Sequence, residues 1–372
     1  MRTVFVLLAA AAVLAQSAPR ILLSHTKEDL RGVSAVSEKI AWASGTHGTY
    51  LRTIDGRAWM PEQVPGAESL DFRGVVAFSA DEAFLMSSGP GEQSRIYHTV
   101  DAGRHWQLQF TNTNPKGFFD SIVFWDRTHG VVLGDPVPDE SGKLKFELLL
   151  TEDGNTWKPI PPARLPTAIE GEGAFAASNS CVAILKSPDQ NIWFATGGAV
   201  ARVFHSSDRG RTWEVFDTPL VHGADSEGIF SIAFRDALHG VIAGGDYKHP
   251  EADGPNLAFT GDGGKTWTLS KIFPQSYYSA AAYDHVYGAA ETAGKAAGGK
   301  PGGRRNDDQN DDQNNARIFL VDPKFAYDFR PPRDPVRINP PKKAGWEFNA
   351  ASAYPGGGVL VVGAKGAIVK IP

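Results

Sequence analysis

A single cysteine, Cys181, stands in the whole chain, so no disulfide can form within it and stability must rest on packing. It lies in the apolar run Cys181 to Leu185, which reads as a small buried thiol rather than a nucleophile. Lysine and arginine are scattered and the formal net charge is −5, so no basic face for nucleic acid is offered. The histidines lack ligand spacing, and His129 and His239 occupy equivalent repeat positions, which excludes an evident metal centre. The acidic tract Asp307 to Asp312 lacks the glycines and regular spacing of a cation loop. No glycine-rich segment has the form of a phosphate cradle, and no cofactor is expected. The longest apolar run, Val4 to Leu14, is too short to span a bilayer, so an integral membrane protein is not expected.

That run follows Met1-Arg2 and ends at the small-residue exit Val13-Leu14-Ala15. A charged start, a short hydrophobic core and such an exit read as a signal peptide over residues 1–15, cut after Ala15. The mature protein, 16–372, is therefore expected in the periplasm or outside the cell, as a monomer.

Glycine and proline are abundant, with 40 and 25 residues, and they break short apolar runs every ten or so positions. This pattern predicts all-β structure. A motif of hydroxyl, Asp, Gly and Trp then recurs through the chain. It stands at Thr99 to Trp106, Ser206 to Trp213 and Thr260 to Trp267, and one residue shorter at Thr53 to Trp59 and Thr151 to Trp157. The tryptophans at 59, 106, 157, 213 and 267 are spaced as the blades of a propeller of four-stranded sheets are.

A second signal fixes the phase. Asp29-Leu30-Arg31-Gly32-Val33 is echoed by Asp71-Phe72-Arg73-Gly74-Val75, and related strands start at Phe118, Gly173, Gly228, Tyr277 and Glu347. These starts predict a seven-bladed β-propeller. The C-terminal Gly363 to Lys370 resembles Gly45 to Arg52, so the seventh unit ends before its fourth strand; Ile21 to Thr26 resembles such a strand. The N-terminal strand is therefore expected to close the last blade and remove the open edge. Unit six departs from the pattern: a low-complexity insertion over about 288–316 carries too little apolar surface to order itself, and a Pro-rich run from Pro331 to Pro341 follows.

Within each motif the carboxylates of Asp55, Asp101, Asp153, Asp208 and Asp262 can accept hydrogen bonds from their own turn, while glycine supplies the positive φ. Trp59, Trp106, Trp157, Trp213 and Trp267 are expected to pack between sheets. Five copies argue for structure over catalysis, because an enzyme needs one site.

This motif resembles the Asp-box, or BNR repeat, of sialidases and sortilin-type receptors. The fuller run Ala43 to Gly56, with Gly130 to Pro136 before a later motif, resembles the photosystem II stability and assembly factor-like family. That resemblance covers nearly the whole mature chain outside residues 288–345 and implies an exported binding or assembly scaffold that recognises a protein partner at the mouth of its channel. Propellers bind where the innermost strands begin. Arg31, Arg73, Asp120 and Tyr278 stand at aligned strand starts, together with Phe175, Phe230 and Phe348, and Glu172 and Glu227 lie just upstream. Arginines, carboxylates and aromatics at one mouth can hold an anionic or sugar-like ligand. Equally, the arginines can pair with the adjacent Asp29 and Asp71, and the aromatics can fill the core. The alternative function is a sialidase-like glycoside hydrolase acting on a glycan, with Arg31, Arg73, Tyr277, Tyr278 and Glu227 as its material. A third aligned arginine is absent.

Overall fold

The second strand of each unit is apolar along its length rather than alternating, which suits a strand covered on both faces by neighbouring sheets. Ala41–Gly45, Ala83–Ser88, Ile192–Ala195 and Val359–Gly363 are buried at every position. In the computed structural model, which describes residues 18–186, 188–271, 276–284, 317–329, 336–339, 345–355 and 357–372, these strands lie inside a ring of seven blades. The expected leader and the expected low-complexity insertion lie outside the described residues.

Each blade is an antiparallel sheet whose first strand faces the central channel. Blade one runs Leu30–Ala35, Ala41–Gly45, Thr49–Thr53 and Met60–Gln63, and blade two runs Asp71–Ala77, Ala83–Ser88, Arg95–Thr99 and Gln107–Thr111. Blades three and five repeat this order from Phe119–Phe124 and Glu227–Phe234. Blade six, which the sequence left without assigned strands, has four: Ala280–Tyr283, Ile318–Val321, Ala326–Phe329 and Val336–Ile338. Blade seven takes three strands from the C-terminal part, Phe348–Ala353, Val359–Gly363 and Ala367–Ile371, and its outer strand is Arg20–Ile21. Arg20 pairs with Lys370 and Ile21 with Val369, so the N-terminal strand closes the ring as expected. The pairing is shorter than the segment Ile21 to Thr26 suggested, ending in a bond from Leu22 N–H to the Ile368 carbonyl at 3.0 Å.

Seven apolar clusters fill the seven gaps between adjacent blades. The repeated tryptophans belong to them. Trp59 is buried between blades seven and one, and Trp157 between two and three; Trp106, Trp213 and Trp267 cover the gaps between one and two, three and four, and four and five. Each tryptophan thus ties its own blade to the one before it.

The turns that carry them share one bonding scheme. Thr53, Thr99, Thr151, Ser206 and Thr260 each donate their hydroxyl to the aspartate two residues on. Each hydroxyl oxygen also accepts the N–H of the glycine at the turn, Gly56, Gly103, Gly154, Gly210 or Gly264. The aspartate Oδ1 then accepts backbone N–H groups further along, such as Arg57 and Ala58 on Asp55, His105 on Asp101, and Thr266 on Asp262. Thr156 and Asn155 N–H groups, at 2.7 and 2.8 Å, hold the Asp153 carboxyl down to about 2, so it stays ionised in its turn.

Blade four departs from the expected alignment. Its start at Glu172–Gly173 pairs only with Gly197–Gly198, and the channel-facing strand is Val182–Ile184, paired with Ile192–Ala195. The residues between leave the sheet and enter the channel.

Candidate functional site

Five strand starts share a β-bulge, and the bulge decides which side chain of each leaves the ladder. The register shifts between Leu30 and Gly32, Phe72 and Gly74, Phe119 and Ser121, Ile229 and Ser231, and Phe348 and Ala350. The extra residues are therefore Arg31, Arg73, Asp120, Phe230 and Asn349. A bulged residue leaves the ladder and its side chain is re-aimed. The sequence alignment is right for blades one, two, three and five. In blade seven the bulged residue is Asn349 rather than Phe348, which is buried. In blade six Tyr278 is one residue early: Ser279 precedes the first paired residue, Ala280, and donates its hydroxyl to the carbonyls of Val321 and Phe348.

Arg31 and Arg73 converge on one carboxylate. Arg73 Nε donates to Asp71 Oδ2 at 2.8 Å, and Arg31 Nη2 lies 3.6 Å from the same oxygen. Asp71 therefore serves both arginines, whereas Asp29 instead accepts the N–H of Lys365. Two guanidinium groups on one carboxylate leave the cluster net positive. Arg31 Nε and Asp71 Oδ1 are buried and have no hydrogen-bond partner among the described residues.

Asp120 is only 1% exposed, and its Oδ2 is likewise unpartnered. Burial, together with Asp135 and Glu147 nearby, pushes its carboxyl well above the ordinary range; the opposing pull of Arg73 is smaller. Burial also raises Asp135, to about 6, against the stabilising N–H of Ala174, which it accepts at 3.0 Å. Glu147 is raised by the same cause and accepts the amide of Asn112 at 2.9 Å.

The departure in blade four closes the channel below this group. From Gly173 to Val182 the inner strand spends nine residues while its partner strand spends three, Gly197 to Phe194. Blade five spends four, Gly228 to Ile232, against three from Gly245 to Ile242. The surplus, Ala174 to Ser180, bonds to blades two, three, five and six. Arg73 donates to the Ala176 carbonyl at 3.2 Å, and Ser178 donates to the Ser279 carbonyl at 2.9 Å. Asn179 accepts the Ile122 N–H at 2.8 Å and donates to the Ile122 carbonyl at 3.0 Å, as a neighbouring strand would. Ser180 accepts the Ile232 N–H at 2.8 Å. The segment thus pairs with the free inner edges of blades three and five, which face the channel.

The remaining site residues lie elsewhere. Glu172 is buried and committed to structure, with Arg202 donating to both of its oxygens at 2.9 and 2.5 Å. Glu227 Oε2 accepts the N–H of Ala224 at 3.1 Å, folding its side chain onto its own turn. Tyr278 is buried between blades five and six, edge-on to Tyr327. The sequence reading missed Asp135, Glu147 and the segment Ala174 to Ser180. The legible signal for the segment was spacing: unit four has too many residues between its start motif and its apolar run.

Among the described residues no group of three His, Cys, Asp or Glu side chains is placed to hold a metal ion, and no helix is long and apolar enough to cross a membrane.

No protein-family model matches the chain, and no curated protein matches it. Solved structures do match over nearly the full length. YCF48 bound to a D1 peptide superposes with a TM-score of 0.62 at 14% identity, covering 96% of this chain and 98% of that one. YCF48 from Cyanidioschyzon merolae gives 0.58 at 16% identity, covering 95% and 98%. U3-55K gives 0.58 at 13% identity, covering 96% and 99%. At these identities the likeness establishes the fold: the chain is a seven-bladed β-propeller similar to YCF48.

Proposed function

We propose that this protein is an exported scaffold that binds a protein partner at the mouth of its channel, in the manner of an assembly factor, and that its turns are Asp-box repeats. The observation that carries the reading is the Arg31–Asp71–Arg73 cluster: a net positive group at the bulges whose arginine side chains remain 27% and 26% exposed. The similarity to a propeller solved with a bound peptide supports it. The segment Ala174 to Ser180 makes the mouth blind, so a partner chain rests on it rather than threading through. Arg31 and Arg73 contact the partner, Asp120 sets the polarity beneath them, and Glu172, Glu227 and Tyr278 support the surrounding fold.

The glycan-hydrolase reading has no comparable support. A tyrosine nucleophile needs a lowered pKa. Burial instead pushes the hydroxyls of Tyr277 and Tyr278 above their ordinary range, and the opposing influence of Arg31 on Tyr277 is smaller.

The test is affinity capture from the native envelope fraction with the wild-type protein and with Arg31→Glu/Arg73→Glu. The double variant should lose the partner that wild type recovers; equal recovery places the contact elsewhere. N-terminal sequencing of the protein from the same fraction should begin at Gln16. A retained Met1 would overturn the export reading.

A further inference from the structure

Beside the arginines stands a group of aromatic rings that no stated role accounts for. Phe175, the second residue of the channel-crossing segment, stacks on the bulged Phe230 with centroids 3.9 Å apart and planes within 11°. Tyr277 meets Phe230 edge-on at 4.8 Å, and Tyr247 does so at 6.0 Å. Arg73 donates to the carbonyl of Ala176, the residue after Phe175, at 3.2 Å, so the basic and aromatic groups adjoin.

The backbone is shaped to seat Phe175. A Cβ on Gly197 would overlap its ring, and one on Gly228 would press on the same edge, at 3.0 Å. Gly228 also has φ +146°, a conformation that side chains resist. The ring stack could serve only to anchor the crossing segment. Tyr247 does not fit that role: it is 48% exposed and meets Phe230 at 6.0 Å with the two planes 75° apart. Tyr247 and the partly buried Phe175 flank the buried Phe230, and exposed ring area with an arginine nearby has the composition of an interface hot spot, where rigid rings supply apolar area and the cation supplies orientation.

We infer that Phe175 and Tyr247, backed by the buried rings of Phe230 and Tyr277, form a subsite for a bulky apolar side chain, and that the mouth takes a peptide in which such a residue lies next to a carboxylate. This rests on the partner-binding reading above. Charge complementarity selects the carboxylate, because the arginine cluster is net positive. The clustered rings select a bulky apolar side chain for the position beside that carboxylate.

The test uses fluorescein-labelled peptides on a Gly-Ser background that carry Asp-Phe, Asp-Ala, Asn-Phe or neither residue, titrated into the full protein by polarisation. Asp-Phe should bind at least tenfold more tightly than Asp-Ala or Asn-Phe. Tyr247→Ala, an exposed truncation that leaves the core intact, should abolish the preference for Phe while keeping that for Asp. Arg31→Gln/Arg73→Gln should do the reverse. Asp-Phe and Asp-Ala binding equally, both lost in the arginine variant, would overturn the aromatic subsite and leave the mouth reading standing. Binding of no peptide would overturn both. Saturable binding of a sialyl-lactose probe that is lost in Tyr247→Ala would replace the peptide with a glycan.

Discussion

Asp135 shows how burial sets the charge state of one residue. Its carboxyl is raised to about 6 because burial removes water, while the unfolded chain releases its proton near pH 4. The sign follows from this difference. Below pH 4 the group is neutral in both states and costs nothing; as pH rises from about 4 to 6 the unfolded state ionises first, and about 3 kcal/mol of stability is lost. Asp120 and Glu147 are shifted in the same direction and add to the trend. Asp135→Asn keeps an oxygen for the Ala174 N–H but carries no charge. Urea unfolding at pH 4.5 and pH 8 should show the variant more stable than wild type at the higher pH by about 2–3 kcal/mol, with the difference shrinking at the lower. A pH-independent difference would place the ionisation elsewhere. The aspartates of the turns run in the opposite direction, as Asp153 shows, because backbone N–H groups there favour the ionised form.

At the scale of the element, the segment Ala174 to Ser180 shows how a strand excursion becomes a structural part. Inner strands of a propeller present unpaired N–H and C=O groups to the channel, and such edges seek partners. Elsewhere serine hydroxyls fill this need: Ser34 accepts the N–H of Ala77, Ser352 that of Ala35, and Ser231 that of Ala281. In blade three the Asn179 amide does so from the crossing segment. Asn179 also sits at φ +59°, which asparagine tolerates better than most side chains. Asn179→Ala should cost about 2–3 kcal/mol, because the Ile122 backbone groups lose their partner and alanine resists the left-handed conformation. Asn179→Gly loses the same bonds without the strain and should cost about 1 kcal/mol less. Equal costs in denaturant unfolding would show that the backbone conformation contributes nothing.

At the scale of the molecule, the ring closes through strands more than three hundred positions apart in the chain. The pairs Arg20 with Lys370 and Ile21 with Val369 are reinforced by Gly366 N–H donating to the Glu28 carbonyl at 2.8 Å. Without this closure the strand Ala367–Ile371 has an open edge and Ile21 and Leu22 leave their apolar clusters. Removing residues 16–28 should lower the melting temperature by on the order of 10 °C and promote self-association through the exposed edge. An unchanged melt with monomeric elution would rule out the closure as a source of stability.

Much of this architecture was written in local patterns. The hydroxyl, aspartate and glycine of each turn bond within a few residues, so their spacing alone specified the turns, and the repeat of Trp59, Trp106, Trp157, Trp213 and Trp267 specified the blades. The likeness of Ile21 to Thr26 to an outer strand was enough to foresee the closure. The bulge gave Arg31, Arg73 and Asp120 equivalent positions because it recurs at the same step after each strand start. Tertiary structure decided the rest. That Asp71 would serve two arginines, that Glu172 would be spent on Arg202, and that Asp135 and Glu147 would gather beside Asp120 are contacts between separate strands and loops, set by packing distances the sequence does not encode locally. The crossing segment is the clearest case: its extra length was visible, but its path through the channel follows from unpaired backbone edges that exist only once the blades stand in a ring.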